Sequence, residues 1–318
     1  MLPISSWRNL VVILSLALPL IFSTQATGDI VTQQIGNPGS RLDIKLQSYR
    51  DSYPEIMFLV LTGDDWIADM ITLDILLGHQ PMSMDYEHAP ELREDLMIAT
   101  STRILKMLQQ RAPSATLYRA HEPMGWPETI CVLTINPAAI ATDALQATRN
   151  FLGLSHELAS EMPREMRLPH ADYLDFVVDH EVYHCLQSMN VGPQQMSNKE
   201  LWGEYQHHLN ELGADAYALA MHISENGRVT DFAVNVQRIR GTALTTSDPN
   251  HLTCRAADRV FSIAAGKFEV MDDKAIFLLA ADIRKQLDPG YDAYLVFMAS
   301  AVEAMKKLGV EAMLSEEA

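Results

Sequence analysis

Positive charge is scarce in this sequence. Its 24 Lys and Arg stand against 41 Asp and Glu, a formal net charge of −17. Phosphate recognition is built on positive charge, so nucleic acid is excluded as an expected partner. Cysteine is scarcer still, with only Cys131, Cys185 and Cys254 in 318 residues. Three thiols permit one disulfide and leave one over, and spacing alone does not choose the pair. They are also too few for a four-cysteine structural metal site. No internal repeat, low-complexity block or Gly/Ser/Pro linker divides the chain.

Long apolar runs are limited to one, residues 10–22, which follows Arg8 and leads into Thr24, Gln25 and Ala26. A spanning helix needs about 20 apolar residues, and this run is shorter, so residues 1–26 are expected to be a signal peptide cleaved after Ala26. Its removal takes away Arg8 alone, so the balance becomes 23 minus 41, or −18. Residues 27–318 are then expected to be exported, periplasmic or secreted, without a membrane span. A disulfide can persist in such a compartment.

What remains is 48% apolar and 20% charged, the composition of a folded globular protein. Strand-like runs occupy residues 55–61, 115–119 and 129–135, each rich in branched or aromatic residues. Helical patterns lie between them at 65–77 and 91–111. Further patterns follow at 137–151, 170–190, 199–224, 274–287 and 291–308. The expectation is an α+β fold in one domain, with a small mixed sheet in an N-terminal half to about residue 165 and a mainly helical half from about 166.

The chemistry concentrates at His180-Glu181-Val182-Tyr183-His184, a His-Glu-x-x-His pattern on a helix. Histidines four apart lie about 40° apart around a helix, so both rings can reach one ion. Glu181 falls about 60° further round, where it reaches a water beside that ion instead of the ion itself. Asp172, Asp175 and Asp179 gather in one strip, expected to face solvent, which turns the histidines inward. Cys185 lies more than about 100° from the metal-facing side, which suits a core or disulfide role.

A catalytic zinc takes a third protein ligand and keeps a position open. Around Glu211 the chain reads Asn210-Glu211-Leu212-Gly213-Ala214-Asp215, and Glu204, His208, Glu211, Asp215 and His222 share one helix face. Glu211 is the expected ligand, with Glu204 the alternative and His208 another neighbour on that face. A metzincin pattern would need Gly and His where Gln187 and Asn190 stand, and His156-Glu157 lacks a second histidine.

These residues resemble the gluzincins, the zinc metallopeptidases that include the thermolysin-like enzymes. There a His-Glu-x-x-His helix precedes a helix that supplies a glutamate ligand, and an aspartate four residues later holds a ligand histidine. His180, Glu181, His184, Glu211 and Asp215 match that pattern one for one, over residues 177–187 and 210–217, with Glu211 27 positions after His184. The resemblance implies a zincin-like fold with the motif helix between the two halves, one Zn2+ per chain and Glu181 as general base. It also implies a peptide or protein substrate held along an edge strand, for which residues 129–135 are the candidate. A second donor for the developing oxyanion would be Tyr205, His222 or His251. Two other functions stay open at this level, a zinc-binding protein without catalysis and a hydrolase of a non-peptide amide such as a cell-wall crosslink. The sequence carries no oligomer signal.

Overall fold

A computed structural model describes residues 41–61, 113–119, 129–135, 143–152, 160, 163–190, 201–241, 249–263 and 265–307. The signal segment 1–26 and the helical patterns at 65–77 and 91–111 lie outside them. The described elements run α1 (Arg41–Ser52), β1 (Ile56–Leu61), β2 (Ser114–Arg119), β3 (Thr129–Thr134), α2 (Ala144–Leu152), α3 (His170–Asn190) and α4 (Trp202–Asn226). They continue with α5 (Asp231–Arg240), α6 (Cys254–Phe261), α7 (Asp273–Leu287) and α8 (Tyr291–Lys307), with a short 3-10 turn at Pro249–His251 before α6. A three-stranded mixed sheet leads into a helical C-terminal half, the α+β arrangement expected.

Local chemistry explains several helix boundaries. Asp143 Oδ1 accepts the Gln146 N–H at the start of α2, and Asp272 and Thr230 cap α7 and α5 by accepting from Ala275 and Ala233. Each satisfies a donor that the first helical turn leaves without a partner. Gly227 ends α4 in the left-handed region at φ 64°, where glycine has no Cβ penalty.

The strand order is β1-β3-β2, with β1 parallel and β2 antiparallel to β3. Residues 129–135 therefore do not form an edge. Thr129–Thr134 pairs on both sides along its whole length, and the outer described strands are β1 and β2. Strand alternation puts Phe58, Cys131 and Leu117 in one cross-strand row and Val60, Leu133 and Ala115 in the next. Both rows face the helical core. β2 and β3 pack on α3, and α3 and α7 pack on α4. One contiguous buried cluster runs from Leu46 to Tyr294.

The acidic strip of α3 is not solvated as expected. Asp179 is 1% exposed, because α1, which the sequence pattern did not reveal, lies over it. Lys45 Nζ stands 2.9 Å from Asp179 Oδ1, and the Tyr49 hydroxyl donates to the same carboxylate. Arg41 reaches Asp175 at the strip's outer end with a two-pronged hydrogen bond of 2.9 and 2.7 Å. A buried ion pair with hydrogen bonds is the form in which a carboxylate survives desolvation.

Cys131 and Cys185 form the disulfide, and Cys254 is the free thiol. The bond ties the central strand to the turn immediately after His184, and both sulfur-bearing residues are buried. Closing a loop with a sequence separation of 54 restricts the unfolded chain by about 4 kcal/mol on chain-entropy grounds. The Cys131→Ala/Cys185→Ala double variant should lose stability of that order in urea unfolding under non-reducing conditions. A loss below about 1 kcal/mol would show that the bond does not constrain the fold.

Candidate metal centre

The two helices that carry the motif are pressed together by a missing side chain. A Cβ added at Gly213 would stand 2.2 Å from the Tyr183 hydroxyl and 2.5 Å from its ring carbon Cζ. Tyr183 is fully buried, and its ring also packs on Tyr217 and Phe277. Glycine at position 213 thus lets a motif-helix tyrosine lie directly against the α4 backbone, two residues from Glu211. That contact brings the acidic face of α4 up to the histidines of α3.

At this contact His180 Nε2 and His184 Nε2 are 3.3 Å apart, His180 Nε2 is 3.1 Å from Glu211 Oε2, and His184 Nε2 is 3.4 Å from Glu211 Oε1. Ligands about 2.0–2.1 Å from one tetrahedral ion are separated by about 3.3–3.4 Å, so these spacings are close to the edges of such a site. His180, His184 and Glu211 offer atoms all within 4.8 Å of one another, and the group could hold a metal ion. Glu211 Oε2 is buried and makes no hydrogen bond, although His180 and His251 nitrogens stand 3.1 Å away. A buried carboxylate oxygen without a donor, facing imidazole nitrogens, fits a shared cation.

Asp215 sets the histidine tautomer. Its pKa is held down to about 2, since the Arg240 charge and donors from His180 and Thr253 overcome the opposing effect of burial. An ionised carboxylate only accepts, so His180 donates its Nδ1–H to Asp215 Oδ1 at 2.9 Å and leaves Nε2 for the cluster. Arg240 flanks the same carboxylate, Nη2 3.2 Å from Oδ1 and Nε 2.9 Å from Oδ2, and the Thr253 hydroxyl donates to Oδ2. The Arg240 guanidinium also lies 4.2 Å from the Phe151 ring centroid.

In the protein alone, burial disfavours charge on His180, but Glu211 and Asp215 outweigh it and raise its pKa to about 10. Burial likewise opposes a charged Glu211, yet His251, His180 and His184 together hold its carboxyl well below the usual range. The cluster therefore offsets its buried negative charge with protons, and a divalent cation would displace them. Glu181 is buried and its pKa is raised by desolvation, against the lowering effect of His180 and His184.

The other sequence candidates separate cleanly. His251 arrives at the cluster, with Nε2 3.1 Å from Glu211 Oε2 and its side chain 27% exposed. Tyr205 does not, because its hydroxyl donates to Asp288 within an aromatic group of Trp202, Tyr291 and Tyr294. His222 lies three turns beyond Glu211, where its Nε2 and the Thr230 hydroxyl are 2.7 Å apart at the entry to α5. Glu204 is not in the ligand cluster either, since its carboxylate accepts from Asn250 at 2.7 Å. Three residues escaped the sequence reading. His207, 3.5 Å from Glu211 Oε1, stands one turn before that residue and shares its helix face, which is a readable signal. Arg240 and Thr253 reach Asp215 from distant segments and left none.

No protein-family model matches the chain, and no curated protein or solved structure matches it.

Gly213→Ala should raise local helix propensity by about 1 kcal/mol and still destabilise the protein by about 1–3 kcal/mol, because the new methyl overlaps Tyr183. Metal affinity should fall with it, as α4 is pushed away from α3. Paired thermal unfolding and zinc titration check this, and unchanged or improved stability would contradict the close contact.

Proposed function

We propose that this protein is an exported zinc-dependent hydrolase of peptide bonds, of the gluzincin type. One observation carries the reading. The two motif histidines and Glu211 converge at metal-ligand spacing while Asp215 accepts from His180 and Glu181 stays outside the ligand group. A structural site would have no use for a buried glutamate beside an incomplete ligand set. Two imidazoles and one carboxylate suit zinc, and three protein ligands match the pattern of catalytic sites that keep a position for water or substrate.

Zinc bound by His180, His184 and Glu211 would supply Lewis acidity to a scissile carbonyl and to a water molecule. The remaining work falls to the chain. Glu181, buried and with its pKa raised, takes the proton of the attacking water and delivers it to the leaving amine nitrogen. His251, partly exposed and 3.1 Å from Glu211 Oε2, would be the donor that hydrogen-bonds the developing oxyanion. The peptide would lie along β2, an outer strand packed on α3, instead of along the central strand.

The buried Cys131–Cys185 bond supports an oxidising location and so supports export. No described helix is long and apolar enough to cross a membrane.

The purified protein should carry one zinc per chain by elemental analysis. Glu181→Gln should keep that zinc and lose about 10²–10⁴ of the peptide turnover, the range general acid–base groups contribute. Zinc in both proteins with no turnover in either, on peptides or on amide crosslinks, would point to a zinc-binding protein without catalysis.

A further inference from the structure

One helix face of α4 carries Glu204, His208, Glu211 and Asp215 in succession, and one five-residue segment is fastened to all four. The segment is 249–253, the 3-10 turn and the two residues after it. Asn250 Nδ2 donates to Glu204 Oε2 at 2.7 Å, and His208 Nδ1 donates to the Asn250 carbonyl at 2.9 Å. His251 Nε2 stands 3.1 Å from Glu211 Oε2, and the Thr253 hydroxyl donates to Asp215 Oδ2. From α8, the Tyr294 hydroxyl donates to Asn250 Oδ1 at 2.8 Å. Asn250 and Thr253 are 2% and 1% exposed, whereas His251 between them keeps a partly exposed ring.

A short turn has few apolar contacts to hold it, so its geometry depends on these bonds. Asn250 makes three of them through two side-chain atoms and its carbonyl, joining α4 and α8. The His208 ring that donates to it is itself packed beside Tyr294 and Phe297, at 5.6 and 5.3 Å between centroids. The anchor is therefore rigid at its protein end, and the residue next to it is the one that meets Glu211.

We propose that Asn250 is a positioning residue for His251, docking the 249–253 segment on the polar face of α4 so that the His251 ring is held over the metal cluster. This assignment rests on the metallohydrolase reading. Glu204 and His208 have the role in it of seating Asn250, which gives a use to two polar residues of α4 that lie outside the ligand group. Thr253 completes the docking at the other end, on the carboxylate that orients His180.

The test uses the zinc-loaded full chain, with casein turnover and acetohydroxamate affinity as two readouts, the second independent of turnover. Asn250→Asp keeps the Tyr294 bond and sets a carboxylate against Glu204. It should lower turnover and acetohydroxamate affinity by about tenfold with one zinc per chain retained. Adding Glu204→Gln, which restores a donor–acceptor pair in the opposite direction, should recover most of the loss. His251→Ala should cost about 10²-fold in turnover, and Asn250→Asp should add nothing further on that background. Losses that multiply in the double variant, an Asn250→Asp protein within twofold of wild type, or no recovery with Glu204→Gln would each overturn the assignment. Wild type without zinc, or Glu181→Gln as active as wild type, would instead overturn the metallohydrolase reading beneath it.

Discussion

Two carboxylates buried one turn apart on a single helix, Glu211 and Asp215, are the constraint around which this protein is organised. Each is at most 3% exposed, and an isolated ionised carboxylate in that position would cost many kcal/mol. The structure resolves the two differently. Asp215 is saturated by His180, Arg240 and Thr253, so its charge is settled within the protein. Glu211 faces imidazoles at 3.1–3.5 Å and retains an oxygen with no hydrogen bond, so its charge is directed at something shared. The asymmetry suits Asp215 to orienting His180 and Glu211 to a group that could hold a metal ion.

The surrounding architecture serves to bring that pair to the histidines. Gly213 lets α4 approach Tyr183 of the motif helix, the Cys131–Cys185 bond ties the motif helix to the sheet just past His184, and α1 buries the helix's acidic back through Lys45. Asp179 is 1% exposed beneath α1, and burial pushes its pKa up to about 7 against the lowering effect of Lys45. The motif helix is thus held by α4, the sheet and α1, with its histidines turned to the acidic face of α4.

Much of the centre was legible because it is local. His180, Glu181 and His184 follow from spacing on one helix, while Glu211 and Asp215 stood among five polar residues on one face of the next and were paired by the gluzincin resemblance. The three strand positions followed from runs rich in branched or aromatic residues, bounded by Gly, Pro or Asn. What failed depended on tertiary contacts. Residues 129–135 are a central strand because chain segments before them pair on both sides, which local pattern does not encode. Asp179 reads as solvated on its own helix and is buried only because α1 covers it. Glu204, His208, Tyr205 and His222 offered suitable donors, but distant Asn250, Asp288 and Thr230 engage them instead. Arg240 and Thr253 joined the centre from segments 25 and 38 residues beyond Asp215, with no motif to announce them.

The most direct test is anomalous diffraction from a zinc-loaded crystal across the zinc edge. The account predicts one peak bounded by His180 Nε2, His184 Nε2 and a Glu211 oxygen, each about 2.0–2.2 Å away, with His180 Nδ1 still on Asp215. A peak held by other residues, or none at full zinc occupancy of the solution, would contradict it.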